Sequence, residues 1–366
     1  MLVQIGISNY KSIDERIVLS LLATKEERHP SIVRSVGDLS LLPVALIVGP
    51  NGAGKSNLFH ALQHMQDIIL NTVSLPYYPH HLNPNEETAI DLQLMLQGRR
   101  YAYGIAYNGE SILEEYFAVI ENEEPMAIFE REGDTVTLSH QSVKLPTHES
   151  AVHFLSEGAS DDIRLFYQFV KNHLIVALVD EEIEQEEVSQ LLKESQLLKQ
   201  VRTLLKRLDI GLEDLVLKGD TVYVKYHAFQ LPLENESTGT RRLIYLLTVI
   251  CDALRAGKVI LIDELERNIH TNLTSTIIRL FNSDITNPQN AQLICSSHNT
   301  HLLDLQLLRQ DQIWFMEKDF EHLRTDLYSL YNIEGVMDDE NIEYGYVKGK
   351  YGATFKINFT EVMKDD

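Results

Sequence analysis

Apolar positions alternate at the start of the chain. Val3, Ile5 and Ile7 are followed, after Asn9-Tyr10-Lys11-Ser12, by Ile17-Val18-Leu19. This pattern predicts two short strands joined by a turn within residues 2–22. The next apolar run, Val44 to Val48, is continuous, which suits a strand buried on both faces as in a parallel sheet. A glycine-rich turn follows. Leu58, Leu62, Met65, Ile68 and Ile69 then recur at helical spacing, predicting a helix over residues 55–71. Residues 73–87 are rich in Pro, Asn and His and read as loop. From Thr88 to about Val143 the signal changes to β, with turn-like breaks at QGRR and NGES, and predicts an antiparallel meander.

Residues 147–215 read as helical. Glu181 to Lys206 is rich in Glu, Gln, Leu and Lys, and a single helix there would be ~39 Å long at ~1.5 Å per residue. Its apolar stripe fits either an amphipathic helix packed on its own domain or a helical arm that contacts a partner. Residues 217–227 predict a strand pair. Beyond them come helix 240–256, strand 258–262, helix 267–281, strand 291–296, a helix near 299–307 and strand 311–317. That β/α alternation predicts an α/β fold with a parallel sheet and crossover helices.

Composition narrows this picture. Hydrophobic residues make up 44% and charged residues 23% of 366, as in folded soluble domains, so global disorder is excluded. A run long enough to span a membrane is absent, and residues 1–12 lack the pattern of a signal peptide. Cys251 and Cys295 both lie in apolar segments and read as reduced core residues of a cytoplasmic protein. The formal charge of -22 argues against a generally basic nucleic-acid footprint, while leaving room for a local basic patch.

Four motifs carry chemistry. Gly49 to Ser56, GPNGAGKS, lies between an apolar strand and a helix, the context that a phosphate-binding loop requires. Asn51, Gly52, Ala53, Gly54, Lys55, Ser56 and Asn57 are the candidate nucleotide contacts, with backbone N–H groups curled around phosphate oxygens and Lys55 bridging the β- and γ-phosphates. The Ser56 hydroxyl is a candidate Mg²⁺ ligand. Asp263, at the end of the apolar strand VILI, is the second, and Glu264 beside it is placed to polarise the attacking water. In ENESTGTRR, Ser237 is at least a helix N-cap, and the Ser-x-Gly turn through Gly239 and Thr240 offers donors to a γ-phosphate. His298 ends the apolar strand ICSS, where a histidine can sense that phosphate.

In this order the motifs resemble the ABC-type ATPase heads of the SMC, Rad50 and RecF class, as does the opening LVQIGISNYKSI. The chain further resembles the AAA15-type ATPases of phage-defence systems such as AbiL, RloA and PARIS. The segments that carry this are RRYAYGIAYNGESILEEYF, LKRLDIGLEDLVL, ENESTGTRRLIYLL, LIDELERNIH, SSHNTHLLD, DQIWFMEKD and YVKGKYGATF. The resemblance implies an ABC-type P-loop head with a mostly parallel sheet, an antiparallel β subdomain and a helical insert. It aligns Ser237-Thr238-Gly239-Thr240 with the ABC signature and His298 with the switch histidine. It also implies that ATP and Mg²⁺ are sandwiched between two copies, Glu264 and His298 acting in catalysis and Ser237 and Gly239 coming from the partner copy. The sequence departs from the family pattern at Thr238, where a glycine is usual, and at Thr271 after His270, where many relatives carry proline. Gln93 and Gln97 are the candidates for the glutamine loop.

The implied organisation is an ATPase core in residues 1–72 and 217–366, a β-rich subdomain in 73–146 and a helical insert in 147–216. The implied function is an ATP-driven dimerising switch in anti-phage abortive infection. It would assemble as a homodimer or larger even-numbered oligomer, answer to a nucleic acid or phage protein, and control a separate TOPRIM-type nuclease away from any membrane. The alternative is a RecF- or Rad50-like DNA-repair ATPase. Sustained heptads are missing between Ser56 and Asp263, which excludes a long coiled coil, and the acidic charge disfavours a DNA clamp. An import transporter's ATPase subunit suits the β-rich start and the long insert poorly. Two basic groups stand apart. Arg241 and Arg242 read as surface charge, an internal salt bridge or a partner contact. Lys348, Lys350, Tyr351 and Lys356, near Tyr344 and Tyr346, read as a solvated tail or as a docking element.

Overall fold

The computed structural model describes residues 1–138, 141–158, 160–178, 185–208, 211–267, 269–337 and 339–354. In chain order, β1 (Leu2–Ser8) and β2 (Ile17–Ser20) form the predicted opening pair, and β3 (Arg34–Val36) and β4 (Leu39–Leu41) a small hairpin. Then come β5 (Val44–Val48) and α1 (Lys55–Leu70). The meander follows as β6 (Thr88–Leu96), β7 (Arg99–Tyr107), β8 (Ile112–Glu121), β9 (Glu124–Glu132), β10 (Thr135–Leu138) and β11 (Gln141–Lys144). Next are α2 (Ala151–Leu155), α3 (Asp161–Asn172), β12 (Leu174–Ala177), α4 (Gln185–Leu192) and α5 (Ser195–Arg207). The chain continues through β13 (Asp214–Lys218), β14 (Thr221–Lys225), β15 (Gln230–Pro232), α6 (Thr238–Ala256), β16 (Val259–Ile262), α7 (Thr271–Asn282) and β17 (Gln292–Ser297). It closes with β18 (Ile313–Lys318), β19 (Thr325–Ser329) and α8 (Ile342–Val347).

Two sheets organise these elements. The larger is antiparallel, in the order β11-β10-β9-β8-β7-β6-β1-β2, so the opening strand pair extends the meander. The other runs β12-β16-β17-β5-β18-β19, and its first five strands are parallel. Every residue of β5 is buried. Ala45 and Ile47 point into a core shared with α1, α3 and the antiparallel sheet. Val44, Leu46 and Val48 face the opposite core, with α5, α6 and α7. A strand covered on both sides has no polar face, hence its unbroken apolar sequence.

The segment 147–215 departs from a purely helical reading. Leu174–Ala177 is a strand, at the edge of the parallel sheet beside β16. A short apolar run is ambiguous by periodicity, and this one is decided by its parallel pairing. The single helix from Glu181 is instead two helices over its described part, with Glu194 extended at φ -74° and ψ 115° before α5 (residues 181–184 lie outside the described residues). Leu197, Val201 and Leu205 of α5 are buried against α6, which is packing within the chain's own domain. The helix near 299–307 is a short 3-10 turn over Thr300–Leu302, and α7 starts at Thr271 instead of 267.

Candidate nucleotide site

The parallel sheet places the motifs. In the order β16-β17-β5, the strands leading to Asp263, His298 and the glycine-rich loop are neighbours and run the same way. Their carboxyl ends therefore open on one edge, where ligands bind in open α/β sheets.

Three glycines let the loop curl. A side chain at Gly49 would meet the Met316 carbonyl at 2.1 Å. Gly52 and Gly54 have φ of +79° and +106°, which side-chain-bearing residues rarely adopt. Gly54 caps α1 without a side-chain hydrogen bond, so the first N–H groups of the helix remain for an anion. Asn51 and Gly52 are exposed, Ala53 is buried and Ser56 half-buried. Lys55 is buried and folds back over the loop, its Nζ donating to the carbonyls of Gly49 at 2.8 Å and Pro50 at 3.1 Å. Burial lowers its pKa to about 8, against the opposing pull of nearby Asp263, Glu264 and Glu266. Phosphate oxygens are a natural replacement for the two carbonyls. Asn57 turns elsewhere: its amide donates to Ser12 Oγ at 2.7 Å.

At the end of β16, Asp263 is buried and accepts from Ser296 Oγ at 2.5 Å. The same hydroxyl accepts from the Glu264 N–H at 2.7 Å. Glu264 sits at φ +48°, a conformation that costs on the order of 1–3 kcal/mol and persists only where the surroundings impose it. Its carboxylate faces His298 Nε2 at 3.7 Å and Arg267 Nη1 at 4.0 Å. Glu266 binds the end of β17, accepting from Ser297 Oγ at 2.7 Å and from the His298 N–H at 2.6 Å. Ser296 and Glu266 escaped the sequence reading. Their only signals were a hydroxyl inside an apolar strand and a third acid in DELE.

Ser237 caps α6, its hydroxyl accepting from the Thr240 N–H at 3.1 Å. It is exposed, and among the described residues its side chain bonds only within this turn, to Thr240. Gly239, two residues further along, is half-buried. Arg242 is not surface charge: it is buried and donates to the Asp263 carbonyl at 3.3 Å. Burial lowers its pKa, and neighbouring Arg267 adds to that. At Thr271, His270 caps α7 through Nδ1, accepting from the Asn272 N–H. Gln93 and Gln97 lie elsewhere. Gln93 accepts from Arg100 at 2.8 Å, and Gln97 is in the hairpin turn between β6 and β7. The C-terminal aromatics dock on the sheet, Tyr346 and Tyr351 stacking on Phe315 at 5.6 and 5.7 Å (Lys356 lies outside the described residues).

Residues 44–304 match the family described as "AAA domain, putative AbiEii toxin, Type IV TA system". The chain belongs to this AAA family. No curated protein sequence matches it. Among solved structures, one titled as the SmcHead bound to the C-winged helix domain of ScpA aligns with a TM-score of 0.51 and 11% identity, covering 90% of this chain and 97% of that one. The SMC head domain from Thermotoga maritima aligns at TM-score 0.46 and 13% identity, covering 90% and 98%. The fold is thus that of an SMC-type ATPase head, and the family makes the protein an AAA-type ATPase. Both cysteines are free and buried, and among the described residues no helix is long and apolar enough to cross a membrane.

Proposed function

We propose that this ATPase is a cytoplasmic, ATP-driven dimerising switch of anti-phage abortive infection. It would respond to a nucleic acid or phage protein and hold or release a separate TOPRIM-type nuclease, in the manner of the AbiL, RloA and PARIS ATPases. The observation that supports it best is the convergence of the phosphate loop, Asp263, Glu264 and His298 on adjacent strand ends around buried Lys55. The family's naming after an abortive-infection toxin agrees with a defence role.

In this reading Asn51 to Ser56 cradle the triphosphate, Asn57 braces the loop through Ser12, and Lys55 leaves the loop carbonyls for the β- and γ-phosphates. The Ser56 hydroxyl and Asp263 carboxylate are hard oxygen donors, which suits Mg²⁺. Asp263 is held for that role by Ser296. When bound, the ion neutralises phosphate charge. Glu264 takes the proton of the attacking water, and His298, 3.7 Å away, orients its carboxylate. Ser237, Gly239 and Thr240 reach the γ-phosphate of the partner copy from the start of α6. ATP then favours the closed dimer, and hydrolysis releases it.

Glu264→Gln tests the scheme. Turnover should fall at least about 100-fold while ATP still binds, and ATP should hold the variant as a dimer on size-exclusion chromatography. Undiminished turnover would remove Glu264 from its role. Salt-sensitive, ATP-dependent binding of duplex DNA by the protein alone would favour the repair reading instead.

A further inference from the structure

Below the phosphate loop, three side chains from distant parts of the chain meet. Ser12, in the turn between β1 and β2, is buried, and so is Thr325, the first residue of β19. Their backbones are joined by the Thr325 N–H donating to the Ser12 carbonyl at 2.8 Å. Their hydroxyl oxygens lie 2.7 Å apart. Thr325 Oγ1 is also 2.9 Å from the Ala53 carbonyl, inside the loop, and Asn57 donates to Ser12 Oγ at 2.7 Å. Thr325 Oγ1 is the donor, aimed at both Ser12 Oγ and the Ala53 carbonyl, while Ser12 Oγ accepts from Thr325 and from Asn57.

The loop is built around this chain. A Cβ at Gly54 would lie 2.5 Å from Thr325 Oγ1 and 2.7 Å from Ser12 Oγ. Thr325 thus touches the loop at the peptide that joins Ala53 to Gly54. In a planar trans peptide the C=O and N–H point in opposite directions. Anchoring the Ala53 carbonyl on Thr325 therefore aims the Gly54 N–H away from Thr325 and holds it there.

We infer that Ser12 and Thr325 are positioning residues for the nucleotide. They fix the Ala53–Gly54 peptide so that its N–H is ready to donate to phosphate. This rests on the reading of residues 49–56 as a nucleotide site. It also gives the antiparallel sheet a direct mechanical contact with that site, because Ser12 belongs to the turn between its last two strands. Neither residue touches the reacting atoms.

The test is titration of ATP into wild-type protein and the variants Thr325→Val, Thr325→Ser, Ser12→Ala and Lys55→Ala, with steady-state ATPase kinetics and thermal melts alongside. Thr325→Val keeps the shape and loses the hydroxyl, and should weaken ATP binding about tenfold. KM should rise with little change in kcat, because the donor serves ground state and transition state alike. Thr325→Ser should restore affinity to within about twofold. Ser12→Ala, which removes the hydroxyl that holds the Thr325 side chain in place, should give a smaller loss of the same kind, and the double variant should be less than additive. A merely structural role would lower the melting temperature without this split between KM and kcat. Thr325→Val that is folded and binds ATP as wild type does, while Lys55→Ala does not bind, overturns the positioning role alone. Wild-type protein that fails to bind ATP, or Lys55→Ala that binds it normally, overturns the nucleotide reading and the inference with it.

Discussion

The two sheets use the same kind of residues for different ends. In the parallel sheet, β5, β16 and β17 are short and buried throughout, and everything reactive lies just beyond their carboxyl ends. In the antiparallel sheet, β6, β7 and β8 are longer and are joined in sequence by hairpins. Their polar groups serve packing: buried Glu115 accepts from Ser150 Oγ and from the N–H groups of Ala151 and Val152, fixing the start of α2. One sheet presents chemistry at its edge, and the other supplies a platform. Damage inside the platform, away from the Ser12 turn, should lower stability and spare the chemistry, while damage at the strand ends should reach catalysis.

The largest effect is expected in the platform. Phe117 is fully buried on β8, with ring centroids of Tyr101 at 5.3 Å, Phe166 at 4.9 Å and Phe129 at 6.4 Å. Phe117→Ala removes the common member of these stacks and should cost about 3–5 kcal/mol of stability. Chemical denaturation measures that cost, and ATP affinity per folded molecule should stay within about twofold. A large loss of affinity in the folded variant would mean that the two sheets are not separable.

How much of this was legible in the sequence follows from the same contrast. Strands buried on both faces announce themselves as unbroken apolar runs, so β5, β16 and β17 and the motifs at their ends could be placed before any coordinates. The glycine-rich loop was readable because φ values such as that of Gly54 exclude most other residues. Three things were not readable. β12 is a short apolar run whose strand character comes from pairing with β16, far away in sequence. Ser296 looks like any small residue in a strand until the fold puts it between Asp263 and the Glu264 N–H. The left-handed backbone of Glu264 has no sequence signature, since glutamate does not favour it.

Ser296 tests the strand-end half of the comparison at a smaller scale. Ser296→Ala leaves the Glu264 N–H without its acceptor and frees the Asp263 carboxylate to rotate. An unpaired N–H at this depth costs roughly 1–3 kcal/mol of stability. The kinetic effect should be about a tenfold drop in kcat, since groups that orient a ligand or base typically carry effects of about 10–100-fold. Unchanged kcat would show that the strand ends hold their geometry without Ser296 and would shift its importance to stability.

The smallest effect is back on the platform, at the β6–β7 turn. Leu96 pairs with Arg99, leaving a two-residue loop of Gln97 and Gly98 with φ of +49° and +78°. Both positive values mark a type I′ turn, which favours Asn-Gly because asparagine tolerates the left-handed region better than glutamine. The turn lies at the end of β6 where Leu94 pairs with Leu2, opposite to the end where β1 leads through Ser8 and Asn9 toward Ser12 and the phosphate loop. Gln97→Asn should therefore raise stability by about 0.5 kcal/mol, read as a small upward shift of the thermal midpoint, with ATPase activity unchanged. A drop in turnover from so remote and conservative a change would give Gln97 the nucleotide-linked role that its position does not provide.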